Sequence, residues 1–296
     1  MGIAWMFPGQ GSQKPGMAVA VMELPGAGQR FDQASELLGR DLQAIIAGTA
    51  EGDLADLNDT RNTQPALFVV ESLLVDGLKA QGRRADLVAG HSLGELVALY
   101  AADVFDAATA LRLIRTRSEL MAGAGGGAMT AVMGFDRTEL EALVAATEGV
   151  VIANDNSSAQ VVLSGTPAAV ASVSSQISCK RAVPLAVSGA FHSPFMAEAA
   201  AAFAAELEAV PFADASIPVL SNTDPTPATS GAVLRQRLRN QMTTGVRWRE
   251  TMEAFHAAGI DTAVEIGPGT VLSGLIKRSC EGITTAQISS AADLGL

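Results

Sequence analysis

Short apolar runs alternate with longer helix-forming segments over most of the chain. Four of the apolar runs predict strands, and each is followed by proline, glycine or asparagine: residues 3–7, 85–89, 217–221 and 262–266. Runs of this length and apolarity are typical of strands that are buried on both faces. Because helical segments separate them, the pattern predicts an α/β protein with a parallel sheet flanked by helices.

The segments between these strands predict helices of different character. Residues 18–59 look helical and exposed, with turns at residues 25–26 and 51–53. Pro65 is expected in the first turn of a long apolar helix over residues 66–80, where its missing N–H is harmless. The other predicted helices cover residues 95–102, 106–121, 197–209 and 231–242, with another up to residue 258 and a last one from about residue 270.

The pattern changes after the glycine-rich residues 123–127. Strands are predicted at residues 129–133, 150–153, 160–163 and 181–186, with helices at residues 136–146 and 167–178 and a polar turn at residues 154–158. This βαββαβ order is typical of a ferredoxin-like unit. We therefore expect residues 1–126 and 189–296 to form the α/β core and residues 127–188 to form an inserted ferredoxin-like subdomain.

Composition narrows the possible functions. The 296 residues are 48% hydrophobic and carry a net charge of −11, which suits a sizeable core and argues against nucleic-acid or membrane partners. Cys179 and Cys280 stand far apart and in no metal-ligand spacing, which favours free thiols in a reducing compartment. No apolar run has the length of a membrane span and no signal-like segment opens the chain. We expect a cytoplasmic monomer without a metal.

Residues 90–94 read Gly-His-Ser-Leu-Gly, the Gly-x-Ser-x-Gly pattern of a nucleophile elbow. A predicted strand precedes this pattern and helix formers follow it, which is the context that such a turn requires. The glycines permit a sharp turn that lifts the Ser92 hydroxyl above the sheet. In a chain with 29 glycines the five-residue pattern can also arise by chance. Its context favours Ser92 as a nucleophile.

A serine nucleophile needs a base, and the chain has three histidines. His91 adjoins Ser92 and should point away from it, so we expect a structural role. His256 lies in a predicted helix and reads as a surface residue. His192 lies in a loop between Gly189 and Pro194, where catalytic groups are commonly placed. Because no acidic residue stands near His192, a Ser–His pair oriented by a backbone carbonyl is the favoured hypothesis.

Arg117 and the loop at residues 8–13 complete the candidate chemistry. Arg117 follows Ile114 by three positions, so it can face inward from a helix whose other arginines read as solvated. A buried arginine needs an anionic partner, and a carboxylate on the acyl group would supply one. The glycine-rich loop is either a plain turn or the source of a backbone N–H that joins the Leu93 amide in an oxyanion hole.

Four motifs, taken together, resemble the malonyl-CoA:acyl carrier protein transacylases of fatty acid synthesis. They are Phe-Pro-Gly-Gln-Gly-Ser-Gln at residues 7–13, Gly-His-Ser-Leu-Gly-Glu at 90–95, Gly-Ala-Phe-His-Ser at 189–193 and Glu-Ile-Gly-Pro-Gly at 265–269. Their order matches the family over nearly the whole chain. The resemblance implies a hydrolase-like α/β core with a ferredoxin-like insertion and an activity that moves malonyl groups from malonyl-CoA to acyl carrier protein.

The resemblance also implies roles for individual residues. It implies that Ser92 carries the acyl group and that His192 acts as the base, held by the backbone carbonyl of Gln241. It implies that the amides of Gln10 and Leu93 form the oxyanion hole and that Arg117 binds the substrate carboxylate. Phe191 and Ser193 would make the site selective for malonyl groups. No metal or resident cofactor is implied, since the phosphopantetheine thiol belongs to the carrier protein. Ser118, Met242 and Gly245 depart from the residues commonest in the family near these positions.

Other functions are compatible with the same residues. A serine esterase or thioesterase would use the same elbow, although it would not need Arg117. A non-catalytic scaffold would not need the serine, histidine and arginine together. Polyketide and malonate decarboxylase systems use related acyltransferases. A carrier protein is expected to be acidic and would need a local basic patch, with candidates at residues 180–181, 235–239 and 277–278.

Overall fold

The computed structural model describes residues 2–187 and 189–295, and it contains two separate β-sheets. The strands are β1 (Gly2–Phe7), β2 (Leu87–Gly90), β3 (Ala128–Phe135), β4 (Val150–Ser157), β5 (Gln160–Gly165), β6 (Cys179–Pro184), β7 (Val219–Leu220), β8 (Ile260–Ile266) and β9 (Thr284–Ile288). One sheet has the order β7-β2-β1-β8-β9, and all of its neighbouring strands are parallel. The other has the order β4-β5-β3-β6 and is antiparallel.

Helices pack against the two sheets and connect their strands. They are α1 (Ala27–Leu38), α2 (Leu42–Ala47), α3 (Thr60–Ala80), α4 (Gly94–Ala101), α5 (Ala107–Gly123), α6 (Arg137–Ala146), α7 (Pro167–Gln176), α8 (Ala197–Glu208), α9 (Gly231–Asn240), α10 (Trp248–Ala257) and α11 (Val271–Ser279). The main hydrophobic core includes the apolar faces of α3, α4 and α5. This arrangement confirms the predicted α/β class with a parallel sheet flanked by helices.

The prediction of exposed helices over residues 18–59 is only partly right. Two short helices, α1 and α2, form there, and both bury one face. Phe31 and Leu42 are fully buried in the main core. Apolar residues three and four apart give α1 this buried stripe, a spacing that the many polar residues between them obscure.

Helix α3 begins earlier than predicted and contains Pro65 in its interior. Asp59 caps it by accepting a hydrogen bond from Arg61 N, so the helix starts at Thr60. Proline lacks the N–H that would bond to the Arg61 carbonyl four residues earlier. Arg40 Nη2 donates to that carbonyl instead, at 2.8 Å. A side chain from another segment therefore satisfies the carbonyl that the proline leaves free, and the helix continues.

The antiparallel sheet follows the predicted βαββαβ order. Helices α6 and α7 pack on it around a small separate core that includes Val132, Leu140 and Val173. The strand order β4-β5-β3-β6 is that of a ferredoxin-like unit. The division of the chain into domains at residues 127 and 188 stays a prediction, and Ser188 lies outside the described residues.

The predicted polar turn at residues 154–158 is wrong, because β4 continues to Ser157. Its polar end lies against the parallel-sheet part of the chain, where Asp155 N donates to Val246 O at 2.9 Å. The Asp155 carboxylate accepts from Arg249 Nε at 3.0 Å. The polar side chains of this strand therefore have partners across the junction between the two sheets, which is why they do not form a turn.

Two strands of the parallel sheet differ from the prediction. Strand β7 covers only Val219–Leu220, which is shorter than the apolar run around it. Strand β9 was not predicted, because Thr284–Ile288 carries polar residues and lies at the edge of the sheet.

Cys179 and Cys280 are both free. Within residues 2–187 and 189–295, no helix is long and apolar enough to cross a membrane.

A buried pair of carboxyl groups lies between α3, which carries Glu71, and β8, which carries Glu265. Glu71 and Glu265 are both 0% exposed. The Glu265 oxygens accept hydrogen bonds from Leu272 N at 3.0 Å and Ser273 N at 2.7 Å, which caps α11. Neither Glu71 oxygen has a hydrogen-bond partner among the described residues. Burial, and secondly the charge of Glu265, raise the pKa of Glu71 well above its usual value.

We expect Glu71→Gln to become more stable than the wild type as the pH rises. A raised pKa means that the folded state holds the Glu71 proton more tightly than the unfolded chain does. The wild-type free energy of unfolding therefore falls as the pH rises above about 4.5 towards the raised pKa, by up to about 1.4 kcal/mol per pH unit. Urea unfolding between pH 5 and 8 would measure the gap, with the exposed Glu36→Gln as control. A pH-independent gap would contradict the raised pKa.

Candidate active site

Ser92 lies on a sharp turn between β2 and α4. Its φ is +54°, in the left-handed region, and a Cβ on Gly90 would lie 1.8 Å from the Gly94 carbonyl oxygen. A Cβ on Gly94 would lie 2.1 Å from the Phe7 carbonyl oxygen. Only glycine fits at these two positions, as the elbow pattern requires. The turn places the Ser92 hydroxyl at the carboxyl edge of the sheet, beyond β2.

His192 contacts Ser92 directly. Its Nε2 lies 2.7 Å from Ser92 Oγ, and its Nδ1 lies 3.0 Å from the Gln241 carbonyl oxygen. A carbonyl only accepts hydrogen bonds, so Nδ1 carries the proton and Nε2 is free to accept from the serine hydroxyl. Burial first and the Arg117 charge second lower the pKa of His192 to about 3. The imidazole is therefore neutral and able to act as a base near pH 7.

Ser92 and His192 share an unusual backbone geometry. His192, like Ser92, has a φ of +54°. Among the described non-glycine residues, only Ser92, Asp103 and His192 have a positive φ. A non-glycine residue in this region costs about 1–3 kcal/mol unless its surroundings support it. Both side chains of the hydrogen-bonded pair thus lie on strained backbone.

Among the described residues, neither of the other two histidines forms a hydrogen bond with Ser92 or His192, although His91 adjoins Ser92 and lines the same cavity. His91 Nε2 lies 2.8 Å from Asn156 Oδ1 on β4, and the His91 ring packs at 5.5 Å from the Trp248 ring. These contacts fit the expected structural role of His91 and help join the two sheets. His256 is exposed on α10, as predicted.

Arg117 faces inward from α5 and is 0% exposed. Its Nη1 donates to Gln64 Oε1 at 2.7 Å, and its Nη2 donates to Gln241 Oε1 at 2.9 Å and to Ser92 Oγ at 3.2 Å. Burial lowers the pKa of Arg117 to about 10, so it remains a cation at neutral pH. It forms no ion pair within the described part of the chain. The site therefore presents an unpaired cation beside the nucleophile.

The two residues predicted to form an oxyanion hole border the same space. Gln10 and Leu93 both line the cavity at Ser92. The loop that carries Gln10 packs tightly on the elbow, since a Cβ on Gly9 would lie 2.5 Å from the His91 carbonyl oxygen. Within residues 2–187 and 189–295, neither amide donates a hydrogen bond. Both N–H groups are available to an oxyanion.

The cavity above Ser92 is small, at about 80 Å³. Apolar side chains form much of its wall, and they are Met121, Met129, Leu185, Val187 and Phe191. Ser193 is buried but does not line the cavity, because its Oγ donates to the Ala190 carbonyl and accepts from Phe195 N at 3.3 Å. Of the two predicted selectivity residues, only Phe191 borders the space for an acyl group.

Three further polar residues hold the site together and were not predicted. Gln64 binds Arg117 from α3, and Glu95 lies in the first turn of α4. Asn222 Oδ1 accepts from Ser92 N at 2.8 Å, and its Nδ2 donates to the Gly90 carbonyl at 2.6 Å. Asn222 follows β7 at the carboxyl edge of the sheet, a position that could have identified it from the sequence.

The predicted basic clusters differ in their surroundings. Arg235 and Arg239 pair with Glu208, and Arg237 pairs with Asp224. Residues 180–181 are exposed on β6 and form no ion pair with another described residue. The chain continues from β6 to Leu185 and Val187 in the cavity wall. Residues 180–181 therefore carry positive charge outside any ion pair between described residues, and the segment that follows them in the chain forms part of the cavity wall.

A parallel α/β sheet that carries a serine elbow and a neutral histidine within hydrogen-bond distance of the serine is the arrangement of enzymes that form acyl-serine intermediates. The model of the acyl transferase domain family matches residues 4–296. The chain belongs to this family and is an acyltransferase.

Named relatives make the class more specific. The chain is 49% identical to a malonyl CoA-acyl carrier protein transacylase of Synechocystis sp., over 99% of both chains. The crystal structure of the malonyl-CoA:ACP transacylase of that organism superimposes with a TM-score of 0.95 and covers 100% of this chain and 99% of its own. A malonyl-transacylase in complex with a type II polyketide acyl-carrier protein is 36% identical, with a TM-score of 0.92 over 99% of this chain and 98% of its own.

Proposed function

We propose that this acyltransferase moves the malonyl group of malonyl-CoA to the phosphopantetheine thiol of an acyl carrier protein. The observation that carries this proposal is the Arg117 guanidinium, which lies buried and unpaired 3.2 Å from Ser92 Oγ. An acyl group attached to Ser92 brings its own substituents to this cation. A carboxylate close to the thioester carbonyl, as in a malonyl group, matches the guanidinium in charge and in bidentate geometry.

In the first half-reaction, the neutral His192 takes the Ser92 proton and the alkoxide attacks the thioester carbonyl. The Gln10 and Leu93 amides bind the resulting oxyanion, and each such donor lowers the barrier by roughly 3 kcal/mol. When the tetrahedral intermediate collapses, the C–S bond breaks and the leaving CoA sulfur takes the proton from His192. Ser92 then carries the malonyl group as an ester. The Gln241 carbonyl holds Nδ1 throughout, in place of a triad acid.

In the second half-reaction, the phosphopantetheine thiol gives its proton to His192 and attacks the malonyl-serine ester. The same two amides bind the second oxyanion. Collapse of this intermediate breaks the ester bond, and Ser92 Oγ recovers its proton from His192. Two half-reactions at one site give ping-pong kinetics.

Phe191 supports malonyl over branched acyl groups. It is buried in the wall of a cavity of about 80 Å³, where a methyl branch would crowd its ring. One extra methyl group in such a pocket changes selectivity by about 10- to 200-fold. Ser193 would act on selectivity only through the loop that it stabilises. The pathway of the carrier protein, a cytoplasmic location and a monomeric state stay predictions.

Intact-protein mass spectrometry after brief exposure to malonyl-CoA tests the proposal. We expect one malonyl adduct on the wild type, none on Ser92→Ala, and loss of the adduct when phosphopantetheinylated carrier protein is added. Ser164→Ala is the matched control, because Ser164 is a buried serine on β5, outside the site. Steady CoA release without an adduct would instead indicate a thioesterase. No adduct and no CoA release would refute the malonyl assignment.

A further inference from the structure

Gln241 contacts the site through both its backbone and its side chain. Its backbone carbonyl holds His192 Nδ1, and its side-chain Oε1 accepts from Arg117 Nη2 at 2.9 Å. Its side-chain Nε2 donates to the Ser92 carbonyl at 2.9 Å and to Glu95 Oε2 at 2.7 Å. The position of one residue therefore affects the base, the nucleophile and the cation.

The partners of the Gln241 amide allow only one orientation. A guanidinium only donates hydrogen bonds, so the amide oxygen must face Arg117. A carboxylate and a backbone carbonyl only accept, so the amide nitrogen must face Glu95 and Ser92. Glu95 is itself fixed, because its Oε2 also accepts from Asn222 N at 3.1 Å and its side chain is fully buried. Glu95 thus determines which end of the amide is presented to Arg117.

Glu95 is also a source of negative charge for this buried cluster. Its charge raises the pKa of Arg117 and opposes the effect of burial. Burial is the largest influence and raises the pKa of the Glu95 carboxyl above its usual value, while the hydrogen bonds from Gln241 and Asn222 and the Arg117 charge favour the charged form and limit this rise. The Gln241 amide separates the two charged groups, so Glu95 compensates Arg117 without occupying its donors. The Arg117 Nε has no hydrogen-bond partner among the described residues, so this donor stays available to a substrate carboxylate.

We propose that Glu95 is a positioning residue which, through the Gln241 amide, orients His192 and Arg117 and supplies the fixed negative charge of the site. This inference rests on the proposed malonyl transfer. During the reaction His192 becomes a cation near Arg117, and the negative charge of Glu95 offsets this second positive charge. Binding of the substrate carboxylate does not need Glu95, because the negative charge of Glu95 near Arg117 repels the negatively charged substrate. Loss of the Glu95 charge should therefore slow turnover and leave substrate binding intact.

Steady-state kinetics of Glu95→Gln test this inference. We expect kcat for malonyl transfer to fall by about 10- to 100-fold, the range for a lost hydrogen bond to a charged group. We expect the KM for malonyl-CoA to stay the same or to fall. Glu71→Gln is the matched control, because it makes the same substitution at another fully buried glutamate that lies outside the site, and its kinetics should equal those of the wild type. An unchanged kcat, or a raised KM with an unchanged kcat, would overturn the inference.

A sulfonyl fluoride separates this inference from the proposed substrate. The reagent is uncharged and sulfonylates the serine hydroxyl with loss of fluoride, so it measures the Ser92–His192 pair without a malonyl group. Glu95→Gln should slow its reaction by about the same factor as kcat, even if the wild type fails to use malonyl-CoA. Equal rates for Glu95→Gln and the wild type would overturn the positioning role, whatever the substrate.

A second variant keeps the inference testable if Glu95→Gln folds poorly. Gln241→Leu keeps the backbone carbonyl on His192 and removes the amide. We expect it to slow the sulfonyl fluoride reaction, and a double variant with Glu95→Gln to be no slower than the slower single variant, because the two residues act in series. Additive losses in the double variant would show that Glu95 does not act through Gln241.

Discussion

Replacing Arg117 by alanine should lower kcat/KM for malonyl-CoA by roughly 30- to several-thousand-fold, the range for truncating one partner of a buried charged pair. The substrate carboxylate would then enter a desolvated cavity without a cation. Arg115→Ala is the matched control, since Arg115 lies on the same helix with its side chain 43% exposed and paired with Glu119. Steady-state transfer to the carrier protein measures both variants, with acetyl-CoA as the uncharged comparison. Arg117→Ala should lose little activity towards acetyl-CoA.

The same variant should change the pH dependence of the reaction. The Arg117 charge is the second-largest cause of the low pKa of His192, after burial. Removing the charge makes the imidazole easier to protonate, so the acid limb of kcat/KM should move to higher pH. It should stay below the usual histidine pKa of about 6.5, because burial remains. An acid limb at the wild-type position, or equal losses with both acyl donors, would contradict the role of Arg117 at the site.

Replacing His192 by alanine should slow formation of the malonyl-serine by about 10²- to 10⁴-fold, the usual contribution of a general base. The hydroxyl of Ser92 would have to lose its proton to water. A rapid-quench measurement of the burst of released CoA reports this step directly. His256→Ala is the control, because His256 is exposed on α10 and should leave the burst unchanged. A normal burst in His192→Ala would exclude His192 as the base.

The elbow and its serine could be predicted because the information is local. Gly90 and Gly94 flank Ser92 within five residues, and the backbone contacts found at both glycines exclude any side chain. The inward direction of Arg117 could also be predicted, because helical spacing from Ile114 fixes its face. The absence of an acid beside His192 suggested an orienting carbonyl, and Nδ1 of His192 lies 3.0 Å from the Gln241 carbonyl oxygen. These inferences need no knowledge of how distant segments meet.

The hydrogen-bond network behind the reacting pair could not be predicted. Gln64 and Glu95 occupy helices whose other residues are mostly buried and apolar, and nothing in their spacing says which polar group each will face. Their partners are 53 and 146 residues away along the chain. The same limit explains the polar end of β4, which looked like a turn because its partners on α10 and near His91 are remote. A polar residue within a buried, apolar element indicates that it has a polar partner, but the sequence does not show which residue that partner is.

The left-handed backbone at Ser92 and His192 affects how the protein can evolve. Glycine adopts a φ of +54° without strain, so mutation of either residue to glycine would relieve the strain and make the chain easier to fold. Selection for abundance alone would then favour loss of the two reacting side chains. A descendant released from its metabolic task, and retained only as a scaffold, should accumulate glycine at these two positions. Selection for activity therefore retains serine and histidine at two positions whose left-handed backbone conformation is unfavourable for both.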